Sequence, residues 1–194
     1  HEDHIGALGH LWDKLGALVY ARNFTSKIAI RKLEENGQTG QIVNVVSSWP
    51  DVTKVGPFEV SYIPVSHSIP ESSALVIDTP KGRLIHSGDF KLDEKPVVGE
   101  AFDHQLWQKI CSPGVRAFIC DSTNVFSENE GRSESEIATE IRKLIENCSE
   151  MVVATTFASN VARIKSIAEA AEGAGRSVCL MGRAMKRMIE ASLE

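Results

Sequence analysis

The chain has 194 residues, 42% hydrophobic and 24% charged, and its 21 Lys and Arg against 26 Asp and Glu leave a formal charge of −5. This is ordinary globular composition, which excludes disorder, collagen-like repeats and a disulfide-held miniprotein. The longest apolar runs, such as Ser73-Ala74-Leu75-Val76-Ile77, are strand-sized and far short of the roughly 20 residues a membrane helix requires, so the expectation is a soluble, cytoplasmic protein.

At about 150 residues per domain, the length fits one domain or one plus part of another. The first residue is His1 rather than Met, and the chain stops at Glu194 inside a helical pattern over 183–190, so it reads as a piece of a longer protein. Residues 10–15 predict a helix, 17–20 a strand, 25–35 a helix stopped by Gly37, and 42–46 a strand. From Phe58 the period changes to two, with strands at 58–63, 74–79 and 83–87, the last two joined by Pro80-Lys81-Gly82 as a β-hairpin in a mixed sheet.

After Pro113-Gly114 strands alternate with helices: strands at 116–120, 151–154 and 178–181, each followed by a helix, predict a parallel layered unit. Ser133 and Glu136 suit a capping box, and Ile137, Ile141, Leu144, Ile145 and Cys148 form a stripe at helical spacing. The next helix runs from about Ser159 to Glu172, where Gly173 and Gly175 stop it. The polar loop 127–132 is the expected boundary between a region 1–128 and a region 129–194. Cys111, Cys120, Cys148 and Cys179 are widely spaced, and Cys120 and Cys179 sit in apolar runs, so buried reduced thiols are expected rather than disulfides.

His1-Glu2-Asp3-His4 puts two imidazoles and a carboxylate within four residues at the start of a helix. One helical turn cannot point all three at a single ion, so the cluster reads as ligands approaching one or two metals from different sides, or as a solvated turn. His67 follows the strand at 60–65 and Asp89 follows the strand at 84–87, in loops where α/β architectures gather their sites. Singly, His67 suits a loop-bonded histidine and Asp89 a turn carboxylate. Together, the order His-x-Asp-His, then His, then Gly-Asp points to a metal site.

The first of these segments resembles the latter part of the H-x-H-x-D-H signature of the metallo-β-lactamase superfamily. With Val65-Ser66-His67-Ser68-Ile69-Pro70, His86-Ser87-Gly88-Asp89-Phe90-Lys91-Leu92-Asp93, Asp121-Ser122-Thr123-Asn124 and Ala154-Thr155-Thr156-Phe157-Ala158-Ser159-Asn160-Val161, the chain is similar over essentially all its length to the ribonuclease J family of the β-CASP branch. The resemblance implies a partial metallo-β-lactamase αββα-type sandwich over 1–128, followed by the first half of a parallel β/α β-CASP domain over 129–194. It implies two divalent ions, zinc first with manganese or magnesium as alternatives: His1 and His67 on one, Asp3 and His4 on the other, and Asp89 bridging. One further His would precede His1 and another would follow Glu194.

The implied chemistry is hydrolysis of RNA phosphodiester bonds by an activated hydroxide, in 5′-to-3′ exonuclease and endonuclease modes, serving RNA decay and maturation, including rRNA. Asp3 and Asp89 are catalytic through the metals. Asp121 would orient a His that protonates the leaving 3′ oxygen. Ser159 and Asn160, opening a helix, suit either a phosphate cradle of hydroxyl, amide and backbone N–H groups or plain N-capping. Gly182-Arg183 suits a further backbone contact, and Arg163, Lys165, Arg176, Arg183, Lys186 and Arg187 gather late in the chain. The full-length partners implied are RNA and a homo-oligomer or RNA-decay complex.

Two other readings stay open. Another hydrolase of the same fold, acting on DNA, small esters or thioesters, is disfavoured by the β/α segment after Ser133, which small-molecule hydrolases lack. A non-catalytic paralogue acting as a scaffold is disfavoured by the intact ligand types.

Overall fold

Two apolar rows of one helix organise the first part of the chain. In the computed structural model, which describes residues 1–129 and 131–193, α3 (Asn23–Glu35) buries Phe24, Ile28, Ala29 and Leu33, positions that recur at four-residue spacing along one face. Glu130, in the loop expected as a boundary, and the terminal Glu194 lie outside the described residues. α3 connects β1 (Val19–Ala21) to β2 (Val43–Val45), which pair in parallel with Val19 opposite Val43, making a β-α-β unit. Ala21, Ala29, Leu33 and Val43 form its core, and Leu8 and Trp12 of α2 (Leu8–Leu15) pack against it.

Gly9 permits that packing, because a Cβ there would come within 2.7 Å of the Lys32 carbonyl oxygen on α3. The chain begins with one turn of helix, α1 (Glu2–Ile5), whose Glu2 carboxylate pairs with Lys32 at 2.6 Å. This unit comprises His1–Ser47 together with Leu180–Glu194. Its last element is the chain's final helix (Arg183–Leu193), held to α3 by Arg31 donating to the Arg187 carbonyl at 2.9 Å and by an Arg187–Glu35 ion pair.

The second unit, Ser48–Cys179, is built on a five-stranded sheet of β3 (Thr53–Val55), β4 (Phe58–Pro64), β5 (Ser73–Thr79), β6 (Gly82–His86) and β7 (Ala117–Ile119), in that order. All neighbours are antiparallel except β6 and β7, which are parallel and joined through α4 (His104–Cys111). The period of two places Ile63 opposite Ala74 and Val76 opposite Ile85 on one face, and these close over Ile110 of α4. Arg83 reinforces the β5–β6 pair with both Asp78 oxygens at 2.8 Å and reaches the Ile110 carbonyl at 2.6 Å. Two helices follow, α5 (Glu134–Glu146) and α6 (Val161–Gly173), which meet through Ile145, Ala170 and Ala171. The final helix is therefore α7.

The chain is a mixed α/β protein. The expected helix at 25–35, the strands of the mixed sheet and the Pro80-Lys81-Gly82 hairpin all form. The expected strand at 116–120 forms as β7, parallel to β6, but those at 151–154 and 178–181 do not, so the expected parallel β/α layer is corrected to its first strand and the helices. A strand exists only through a neighbour that pairs its N–H and C=O groups; among the described residues no such pairing forms at these segments, and Met151 and Met181 are 85% and 83% exposed. The expected thiol burial is likewise corrected. All four cysteines are free and exposed, Cys120 because β7 is an edge strand with all three of its residues exposed. Ser133 caps α5 as expected, through the Ser135 N–H at 3.3 Å, but of the apolar stripe only Ile145 is buried. No described helix is long and apolar enough to cross a membrane.

Candidate functional site

Strand direction decides which loops of the second unit meet. β4 and β6 both run antiparallel to β5, and β7 runs parallel to β6, so β4, β6 and β7 all end on the same edge of the sheet. The loops that leave that edge carry His67, Asp89 and Asp121. His67 Nε2 lies 3.8 Å from Asp89 Oδ2, with both side chains partly shielded at 24% and 35% exposure. The backbone under Asp89 turns on Gly88, at φ +60, where a Cβ would sit 3.2 Å from the Ser73 carbonyl oxygen. Gly88 also donates its N–H to His86 Nδ1 at 3.0 Å.

Ser87, buried just before this turn, connects the second loop to the third. Its N–H donates to the Ile119 carbonyl, and its hydroxyl accepts the Asp121 N–H, both at 2.9 Å. Asp121 in turn closes its own turn by accepting the Thr123 N–H at 2.9 Å and the Thr123 hydroxyl at 2.7 Å. The first loop is anchored through Ser66, which bridges to Lys91, and through the Ser68 carbonyl, which accepts the Ala162 N–H at 3.0 Å. The first turn of α6 is thereby tied next to His67.

That tie changes the reading of Ser159 and Asn160. Asn160 is the N-cap of α6, its Oδ1 accepting the Arg163 N–H at 2.8 Å. The Val161 N–H goes to the Ser159 carbonyl at 3.1 Å and the Ala162 N–H to Ser68. The leading N–H groups that a phosphate cradle would use are therefore engaged, and that part of the expectation is corrected. The Ser159 hydroxyl and the Asn160 amide nitrogen are the groups left to carry it. Four of the six late basic residues are similarly committed: Arg163 pairs with Glu134, Lys165 with the Val97 carbonyl, Arg176 with the Cys148 and Glu150 carbonyls, and Arg187 with Glu35.

In the first unit, His1 stands at the N-cap position of α1 without a side-chain capping bond and Asp3 and His4 lie on the helix, with His4 Nε2 3.4 Å from Asp3 Oδ2 and the two side chains 50% and 71% exposed. Imidazole and carboxylate side by side in this way form a donor pair suited to a divalent ion, as do His67 and Asp89.

Sequence reasoning missed the buried polar support. Asp93 was given no role from the sequence, yet it is 6% exposed and accepts the N–H groups of Lys95 and Glu134 and the Ser133 hydroxyl. The available signal was Ser133-Glu134 at a helix start, whose donors call for an acceptor.

The family model described as "Ribonuclease J, beta-CASP domain" matches residues 149–194. Ribonuclease J of Sinorhizobium meliloti is 43% identical over 190 residues, which is 98% of this chain and 34% of that protein. Ribonuclease J of Thermus thermophilus is 36% identical over 100% of this chain and 35% of its own length. The chain's relatives are ribonucleases J. Ribonuclease J of Corynebacterium glutamicum, 34% identical over 98% of this chain and 26% of that protein, extends the similarity to a further bacterium. The chain thus spans between about a quarter and about a third of the length of these ribonucleases J. A crystal structure of a protein of unknown function from Enterococcus faecalis V583 shares the fold, at a TM-score of 0.58 and 21% identity over 79% of this chain and 39% of that one.

Proposed function

We propose that this chain belongs to a metal-dependent ribonuclease that hydrolyses RNA phosphodiester bonds, with 5′-to-3′ exonuclease and endonuclease action. The observation that carries the reading is similarity to ribonuclease J along 98% of the chain. The donor chemistry supports it. His67 and Asp89, 3.8 Å apart, are near enough that both would hold one divalent ion. His1 and His67 would hold one ion, Asp3 and His4 the other, and Asp89 both. Two such ions, when bound, supply Lewis acidity and an activated water at neutral pH.

The protein's own groups do the rest. Asp121, held by the Ser87 hydroxyl and Thr123, presents a carboxylate able to orient an imidazole acid toward the leaving 3′ oxygen. The Ser159 hydroxyl and Asn160 amide would contact the RNA backbone, which positions a strand without reading its bases. The same reading makes RNA the substrate, with assembly of the full-length protein into a homo-oligomer or RNA-decay complex in the cytoplasm.

The test is removal and return of metal. The full-length protein is stripped with a chelator and assayed on RNA before and after Zn²⁺ or Mn²⁺ is restored, with bound metal counted by elemental analysis. Activity lost on stripping and recovered with about two ions per chain is expected. RNA cleavage that persists in the stripped protein contradicts the metal reading. Restored metal without RNA cleavage contradicts the substrate.

A further inference from the structure

A closed path of hydrogen bonds surrounds His67, all of it within the second unit. On one side, the Ser66 hydroxyl accepts the Asp93 N–H at 3.0 Å and donates to the Lys91 carbonyl. The Asp93 carboxylate accepts the Lys95 N–H at 2.9 Å, the Ser133 hydroxyl at 2.8 Å and the Glu134 N–H at 3.1 Å. The Glu134 carboxylate grips Arg163 with both oxygens, at 2.6 and 3.2 Å. Arg163 stands in the first turn of α6, and the preceding Ala162 returns the path to the loop by donating to the Ser68 carbonyl. The path leaves the loop one residue before His67 and re-enters it one residue after.

Of its nodes, Ser66, Asp93, Glu134 and Ala162 are buried and Ser68 and Arg163 half-buried, and Asp93 and Glu134 are the only buried acids among the described residues. Bonds shielded from water are not exchanged for water bonds, so a broken link leaves an unsatisfied group and the whole ring resists distortion. At the start of α5 Ser133 accepts the Ser135 N–H, and Asp93 accepts the Glu134 N–H that this cap leaves over. What Asp93 adds is the connection between the His67 loop and that helix.

We propose that Asp93 is the positioning residue for the His67 imidazole, acting through Ser66, and that Glu134 and Arg163 carry its hold round to Ser68. Load placed on the first turn of α6 then reaches His67. This rests on the reading of His67 as a metal ligand. Ligating imidazoles take their orientation from outer partners, and losing such partners typically weakens metal binding about 10- to 100-fold.

The test uses Asp93→Asn and Glu134→Gln in the full-length protein. Asn offers one oxygen where Asp offers two, so one of three donors loses its acceptor. Glu134→Gln weakens the Arg163 link, far along the chain from every candidate ligand, and decides the matter if Asp93→Asn does not fold. In the metal-free protein, amide hydrogen exchange over residues 65–72 is expected to quicken about tenfold in both variants. Mn²⁺ affinity measured by calorimetry is expected to fall about tenfold. Unchanged exchange in that loop overturns the proposal whether or not metal binds. Faster exchange with wild-type Mn²⁺ affinity overturns the positioning role. A wild type that binds neither Mn²⁺ nor Zn²⁺ overturns the metal reading and the positioning role with it, a failure set apart by a loop exchange that still responds to the variants.

Discussion

Burial alone would push the Asp93 carboxyl up, but the N–H groups of Lys95 and Glu134 and the Ser133 hydroxyl outweigh it and hold the group below the ordinary carboxylate range. Because the folded-state pKa lies below the unfolded one, the stabilisation is complete above the unfolded value of about 3.9 and is lost as pH falls through the folded value. Asp93→Asn is therefore expected to cost about 2 kcal/mol at pH 7, with a smaller gap from wild type at about pH 3. Urea midpoints at both pH values measure this, and an equal gap at each would contradict it. Nothing in sequence separates Asp93 from its neighbour Glu94, whose exposed side chain meets His104 at 3.1 Å, because burial depends on which helix start arrives beside it. His67 and Asp89 were legible because residue type, loop position and order all agree.

At the scale of elements, α5 shows how a correct pattern can overstate a contact. Five apolar residues share its stripe, yet the surface offered by Ala170 and Ala171 receives Ile145, which is 4% exposed, while Leu144 is 69% exposed. Ile145→Ala is expected to cost about 3 kcal/mol and Leu144→Ala less than about 0.5 kcal/mol in chemical denaturation. Similar costs for the two would show that the α5–α6 contact is misassigned. Strands were legible wherever alternation and a turn coincided, as at Pro80-Lys81-Gly82. β3 escaped because Thr53-Lys54-Val55 is mostly polar and stands in no apolar run, and α4 escaped although Asp103, which accepts the N–H groups of Gln105 and Leu106, was a readable cap. The runs at 151–154 and 178–181 failed in the other direction. Their apolar character is real, but a strand is a property of a pair, and composition cannot supply the neighbour.

For the whole molecule, the similarity to ribonuclease J and the convergence of β4, β6 and β7 on one sheet edge rest on independent grounds, one on residue identity and the other on strand direction. The order of the candidate ligands is a property of the chain alone, whereas the hydrogen bonds that tie the third loop to the second through Ser87, and α6 to the first through Ser68, became visible only in three dimensions. The central claim is that this constellation serves hydrolysis of RNA through metals that share Asp89. Its most direct measurement is the decay of a 5′-monophosphorylated, 3′-labelled RNA by the full-length protein with added Mn²⁺ or Zn²⁺, wild type beside Asp89→Ala. Degradation by the wild type and a loss of at least about 10³-fold in the variant, which keeps its fold, are predicted. Asp89→Ala that degrades the RNA at the wild-type rate would contradict the account.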